Sequence, residues 1–350
     1  MNGDANRSSQ GLLVSPFGPA VILRISLILL FLLVLAGAAV WYAAPREPVD
    51  LTITFDPTTI GSDPDGYLAR EEADVPNLRR DDAKEIVWAY PASRAKTPLA
   101  IVYIHGFSAS KEELRPVPDD VARQLGANLF FTRLSGHGRD STAMGRTNVG
   151  EWLNDLAEAI AIGRTIGERV VVIATSTGGT LATLGATRPG LMDDVAGMVM
   201  VSPNFRLLDR YAFVLDLPFA REFGPWLLGE ERTSEPLSDA QAAHWTLRYP
   251  LVALLPMGAL IRVVSHLDVG KIAIPALFLV SPQDQLVDPA ATEAVAARWG
   301  GPHKLVDVPI SGDPAHHILA GRILSPSTSD EISTRMVDWI KALPGVAASR

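Results

Sequence analysis

The sequence predicts an α/β fold: a mostly parallel central sheet with helices on both faces and a helical cap insert. Three observations carry this. Short β-branched or apolar runs recur at 99–104, 128–133, 169–174, 197–201, 276–280 and 303–308, as suits strands covered on both faces. Segments of helical periodicity at 111–125, 149–166, 178–187, 289–299 and 327–342 separate them. Such alternation implies parallel pairing, because a parallel crossover needs a connection of helical length. The regularity stops between Phe205 and Lys271, where apolar patches around Phe213, Phe219, Phe223, Trp226 and Trp245 carry no clear strand. That stretch reads as the insert.

The elements follow in chain order. Residues 1–24 form an N-terminal tail. From Ile25 to Ala44 runs an uncharged apolar segment of about twenty residues, long enough for a hydrocarbon core of roughly 30 Å. Arg7 and Arg24 precede it and only Arg46 follows closely, which places the N-terminus in the cytoplasm and the remainder outside it. Ala36-Gly37-Ala38 also suits a signal-peptidase site, leaving a cleaved, secreted or periplasmic form as the alternative. The apolar run continues past that site through Val40, Trp41 and Tyr42, which favours a single-pass anchor. Residues 45–98 are an extension rich in Pro, Asp and Arg with candidate strands at 51–55 and 85–90. The core then runs over 99–204 and 272–350, divided by the insert at 205–271.

Composition narrows the function. The chain has 31 basic and 39 acidic residues, a net charge of −8, and no Lys/Arg cluster, so a nucleic-acid surface has no electrostatic support. It has no cysteine, which excludes disulfides, thiolate metal sites and a cysteine nucleophile. No ligands stand at metal spacing, and neither a metal nor an organic cofactor is expected. Oligomeric state leaves no signature in the sequence.

The chemistry-bearing residues gather at strand ends. In the run Arg169-Val-Val-Val-Ile-Ala-Thr-Ser-Thr-Gly-Gly, Ser176 stands between an apolar strand and a helix that opens on glycines. A serine on such a sharp turn is a candidate nucleophile, and the positions two before and two after must be small; they are Ala174 and Gly178. The run Ile101-Val-Tyr-Ile-His-Gly-Phe ends in a corner where Phe107 N–H, with Thr177 N–H, would face a developing oxyanion. His105 and the glycine-flanked His137 read as packing and turn residues. After the insert, a strand ends in Gln283-Asp284-Gln-Leu-Val-Asp288-Pro289. Asp284 suits the acid that orients an imidazole, while Asp288, before a proline, suits a helix cap. The following loop carries His316 and His317, one of which is expected to act as base. The order is then nucleophile, acid, base.

Over about residues 99–343 the sequence resembles the α/β-hydrolase superfamily, and within it the monoacylglycerol lipase, lysophospholipase and serine aminopeptidase branch. The resemblance rests on His105-Gly106-Phe107, Gly136-His137-Gly138, Ala174-Thr-Ser176-Thr-Gly178-Gly179, Gln283-Asp284-Gln-Leu-Val287 and His316-His317-Ile318. Ala174 departs from the commoner glycine. In that branch the catalytic histidine commonly precedes Val or Ile, which implies His317 rather than His316. The resemblance implies hydrolysis of carboxylic esters through a Ser176–His317–Asp284 triad and an acyl-enzyme. The apolar insert suits a lid over lipid-like acyl chains. A peptidase, perhydrolase or acyltransferase with the same triad, and a membrane-tethered binding protein without chemistry, are the alternatives.

Overall fold

A computed structural model of the chain describes residues 18–346. Two compact units meet in sequence at Pro45 and Arg46. The first holds one helix, Pro19–Ala43, of 25 residues, none of them buried. It is long and apolar enough to cross a membrane. It opens at Pro19, where a missing N–H costs nothing, rather than at Ile25, and so includes Arg24. Arg7 lies outside the described residues.

The second unit is built on seven strands in the spatial order β1-β3-β2-β4-β5-β8-β9. In chain order the strands are β1 (Glu85–Val87), β2 (Thr97–Ile104), β3 (Asn128–Phe131), β4 (Gly167–Thr175), β5 (Val195–Val201), β6 (Glu231–Thr233), β7 (Arg248–Pro250), β8 (Ala276–Val280) and β9 (His303–Asp307). β1 runs antiparallel to β3, and the other neighbours in this sheet are parallel. Because side chains alternate across a strand, Ala100, Val102 and Ile104 of β2 face one core with helices Val149–Ile166 and Thr177–Ala186. Leu99, Ile101 and Tyr103 face a second core with helices Val117–Leu125 and Ser329–Lys341. Two buried faces explain why the central strands read as continuous apolar runs.

The topology positions the site. From β2 the chain adds β3 on one side and β4 on the other, with Ile104 opposite Ala174 at their carboxyl ends. Strand order reverses there, and in open parallel sheets ligand crevices form at such a point.

Several sequence expectations need correction. Residues 51–55 join no sheet; the Thr54 and Phe55 N–H groups donate to Asn154 Oδ1 at 2.7 and 2.8 Å, so a side chain takes the donors a ladder would need. The run 85–90 pairs only over β1, and beyond it the Ala89 N–H is taken by Asn128 Oδ1 at 2.9 Å. The helix expected at 111–125 divides into a 3₁₀ turn, Lys111–Glu113, and helix Val117–Leu125. Pro116 and Pro118 lack the N–H of an interior turn and are tolerated only at a helix start. An unforeseen helix, Pro64–Ala73, starts on an Asp63 cap and is joined to the sheet by a buried pair, Glu72 Oε1 to Arg133 Nη2 at 2.7 Å. Within 205–271 the chain forms helices Ala220–Leu228, Asp239–His244 and Leu254–Ser265. It also forms the antiparallel pair β6–β7, which is too short and too polar for its period to register. The strand expected at 128–133 stops at Phe131 and the helix expected at 289–299 at Ala296.

Helix Thr177–Ala186 passes so close to β2 that a Cβ on Gly178 would stand 2.5 Å from Ile104 O and 2.7 Å from His105 O. Backbone cannot rotate away. Gly178→Ala is expected to destabilise the chain by about 1–3 kcal/mol. At Gly224 the nearest atom to such a Cβ outside the neighbouring residues is Leu251 Cδ2 at 3.5 Å, so Gly224→Ala meets only the strain of a Cβ before Pro225 and should cost less than Gly178→Ala. Urea midpoints of the two variants check the contrast.

Candidate active site

Ser176 caps helix Thr177–Ala186 with φ 51° and ψ −119°. A non-glycine residue there costs on the order of 1–3 kcal/mol and persists only where neighbours enforce it. Here Ser176 N–H donates to Val201 O at 2.9 Å, while Ser176 O accepts from Gly179 and Asn204 N–H at 2.9 and 3.1 Å. Ala174 is fully buried in the core beside β2, where its methyl group occupies packed space. The Ser176 hydroxyl has no hydrogen-bond partner among the described residues.

The corner after β2 lies against this turn. A Cβ on Gly106 would stand 3.1 Å from Ser176 Cβ. The N–H groups of Phe107 and Thr177, the expected oxyanion donors, meet no protein acceptor among the described residues. Thr177 N–H belongs to the first turn of its helix, where four donors lack intrahelical partners.

Asp284 and His317 are brought together. Their side chains are 2 and 7 % exposed, and His317 Nδ1–H donates to Asp284 Oδ2 at 2.8 Å. Asp284 Oδ1 accepts from the N–H groups of Leu286 and Val287 at 2.8 and 2.9 Å, which aims the other oxygen at the ring. Burial works against the imidazolium, but the Asp284 bond and charge, joined by Glu113 and Asp313, outweigh it and raise the His317 pKa above the ordinary value. With Nδ1 protonated, Nε2 carries the lone pair. His316 has φ 53° and lies 3.4 Å from Ser311 Oγ through Nδ1. Asp288 caps the helix Pro289–Ala296 through Ala290 N–H, as expected.

The other two motif histidines are structural. Leu134 N–H donates to His105 Nε2 at 3.1 Å, so the proton sits on Nδ1, which donates to Gly106 O at 2.8 Å. Burial lowers the His105 pKa to about 4. His137 Nδ1 bonds Ser135 O at 3.1 Å, and burial with the His105 neighbour pushes its pKa well down. Both rings are neutral and buried, with centroids 5.0 Å apart.

Sequence reasoning missed three residues here. Asp313 Oδ2 accepts from the N–H groups of His317 and Ile318 at 3.0 and 2.9 Å and shapes the turn that presents the imidazole. Ser202 Oγ donates to His317 O at 2.7 Å. Glu113 Oε2 accepts from Gly106 N–H at 2.8 Å. Asp313 stands four residues before His317, a spacing that could have suggested a side-chain turn. Glu113 sits in Lys111-Glu-Glu, which reads as the solvated start of a helix.

Residues 205–271 pack against the loops that carry this site. Trp245 packs with Ala109 and Ile318, from the corner after β2 and the histidine loop, and Tyr249 meets Phe107 edge-on at 5.3 Å. Ser176, Asp284 and His317 are only 7, 6 and 5 % exposed. Two polar clefts of about 570 and 690 Å³ lie elsewhere, around Lys111 and Arg115 and around Arg139 and Arg146. Among the described residues no group of His, Asp and Glu is arranged to hold a metal ion.

Residues 101–321 match the family described as the alpha/beta hydrolase family. The thermostable monoacylglycerol lipase of Bacillus sp. (strain H-257) is 24 % identical over 211 residues, 59 % of this chain and 79 % of the relative. Among solved structures, one from work on the metagenome-derived lipolytic enzymes LipS and LipT aligns with a TM-score of 0.58 at 18 % identity, covering 76 % of this chain and 98 % of that one. The monoacylglycerol lipase of Paleococcus ferrophilus aligns at 0.53 and 16 % identity, covering 73 and 96 %. With the site at the carboxyl edge of the parallel sheet and the match running from within β2 to beyond β9, this chain belongs to the α/β-hydrolase family.

Proposed function

We propose that the chain is a membrane-tethered serine hydrolase that cleaves carboxylic esters, with Ser176 as nucleophile, His317 as base, Asp284 as its orienting acid, and Phe107 and Thr177 N–H as oxyanion donors. The observation that carries this reading is the 2.8 Å bond from His317 Nδ1 to Asp284 in the site that also holds the strained Ser176. Asp284 keeps the imidazole in the tautomer whose Nε2 can accept a proton. As Ser176 Oγ attacks the ester carbon, its proton passes to Nε2 and the carbonyl oxygen takes the negative charge, which the two amides stabilise. Collapse expels the alcohol, which takes the proton from His317. Water, deprotonated by the same nitrogen, then hydrolyses the acyl-enzyme and restores Ser176.

An apolar, lipid-like substrate is supported by the insert, where Phe213, Trp226 and Leu227 are 61, 86 and 53 % exposed. Packed on Phe107, Ala109 and Ile318 through Tyr249 and Trp245, residues 205–271 are suited to act as a lid. The tether is supported by the apolar helix Pro19–Ala43, long enough to cross a membrane. Directly after the apolar helix, Arg46 Nε donates to Asp216 O at 3.1 Å, Arg221 pairs with Glu47 at 2.6 Å, and Arg262 donates to Glu47 O at 2.9 Å. The first residues of the second unit are thereby fastened to the insert.

Ser176→Ala should lower turnover of a short p-nitrophenyl ester by about 10⁴–10⁶-fold with folding intact. A fluorophosphonate should label the native chain and not the variant. Near-native turnover in Ser176→Ala would sink the assignment, and ester, peptide-amide and peroxide product assays separate esterase from peptidase and perhydrolase.

Only neutral His317 can take the proton, so activity should rise with pH. Because the His317 pKa is raised, the midpoint should lie above the ordinary imidazole value of about 6.5. His317→Ala should abolish both activity and titration, whereas His316→Ala should keep the profile and lose a small factor in rate. The reverse pattern would move the base by one residue.

The full chain should sediment with membranes and resist alkaline carbonate extraction, and a chain beginning near Pro45 should be soluble. A mature N-terminus near Ala38 would establish a cleaved signal in place of the anchor.

A further inference from the structure

Glu113 is a buried carboxylate, 2 % exposed, at the centre of the site and without a part in the steps above. Its Oε2 accepts from Gly106 N–H at 2.8 Å and from Tyr103 O–H at 2.9 Å. The Tyr103 oxygen also lies 3.1 Å from Thr175 Oγ1. Gly106 immediately precedes Phe107, and Thr175 immediately precedes Ser176. One carboxylate oxygen therefore links the two strand ends that deliver the oxyanion donor and the nucleophile.

A Cβ on Gly106 would stand 2.7 Å from Glu113 Oε1 and 3.1 Å from Ser176 Cβ, so the glycine lies against both the carboxylate and the serine without spare room. A Cβ on Gly321, four residues beyond His317, would stand 2.5 Å from Glu113 O, so the histidine loop packs on the same residue. Neither lysine nor arginine hydrogen-bonds the Glu113 carboxylate among the described residues. Burying it without a counter-ion is costly, and a packing role would be met more cheaply by an apolar side chain. Burial raises its pKa to about 7, against the pull of Gly106 N–H, Tyr103 and His317.

We propose that Glu113 is a positioning residue of the hydrolase site: its carboxylate fixes the Gly106–Phe107 peptide against Ser176 and so holds Phe107 N–H where the oxyanion forms. The proposal rests on the reading of Ser176 as nucleophile and of Phe107 N–H as oxyanion donor. The groups that face His317 are Asp284, Asp313 and Glu113, and those that face Glu113 are Gly106 N–H, Tyr103 and His317. A charged Glu113 therefore also favours the His317 imidazolium formed during attack.

The test uses the full chain in detergent micelles, with reactive sites counted by fluorophosphonate titration and kcat per titrated site measured on a p-nitrophenyl ester. Glu113→Ala is expected to lose about 10²-fold in kcat per site, the scale of one displaced oxyanion donor, with KM within a few-fold of native. Glu113→Gln keeps an oxygen for Gly106 N–H and should recover to within about tenfold of native, as expected for an acceptor that survives without its charge. It should also lower the acid-side midpoint of kcat/KM, because His317 has lost a neighbouring negative charge. Native kcat per site in Glu113→Ala, a loss confined to KM or to the number of reactive sites, or Glu113→Gln as slow as Glu113→Ala would each overturn the proposal. Should Glu113→Ala yield no reactive sites, Glu113→Asp decides: its carboxylate is withdrawn by one methylene, and an undiminished kcat per site refutes the positioning role. Turnover that survives Ser176→Ala refutes the underlying reading instead, independently of any result at Glu113.

Discussion

Helix Thr177–Ala186 can start above the end of β4 only because the chain reverses at Ser176 and the helix then passes against the carbonyls of Ile104 and His105 with nothing but a glycine between them. This close approach governs the rest. It brings the carboxyl ends of β2 and β4 together at the point where strand order reverses. It places the corner after β2 in van der Waals contact with the Ser176 side chain. It also requires Ser176 to adopt a left-handed backbone, whose cost is met by hydrogen bonds to Val201, Gly179 and Asn204.

Behind that contact lies a cluster of buried polar groups. His105, His137, Glu113, Glu72 with Arg133, and Asp155 with Ser135 are buried or nearly so around the loops that follow β2 and β3. Most of these groups bond backbone atoms of the loops rather than one another. Loops at a sheet edge have backbone donors and acceptors without ladder partners, and side chains supply them. Burial keeps both histidines neutral, so His105 supplies a donor to Gly106 O and an acceptor to Leu134 N–H, and His137 a donor to Ser135 O, without a charge to solvate. His317 lies among carboxylates instead, and its proton affinity moves in the opposite direction. Chemically identical side chains within one site are thus separated in role by their electrostatic surroundings.

The insert joins the two ends of this arrangement. Trp245 and Tyr249 lie over the corner after β2 and the histidine loop, while Asp216, Arg221 and Arg262 hold the first residues that follow the apolar helix. Residues 205–271 thus pack both on the loops that flank the proposed nucleophile and on the first residues of the second unit.

The periodicity of the sequence by itself determined the layered α/β fold and the site's position at strand ends, because buried parallel strands and amphipathic helices leave local patterns. The turn at Ser176 was legible for the same reason: the small residues it needs, Ala174 and Gly178, are its near neighbours. The extended run at 51–55 carried a strand-like pattern, yet its donors went to Asn154, a residue remote in the chain. The loop residues alone left His316 and His317 open, and only the resemblance, through Ile318, pointed to His317; in the fold the Asp313 carboxylate and the positive φ at His316 turn His317 toward Asp284. Glu113 was invisible for a related reason. Its charge run reads as solvated surface, and only the packing of β2, β4 and the histidine loop encloses it, because burial is a property of the assembled neighbours and not of the residue.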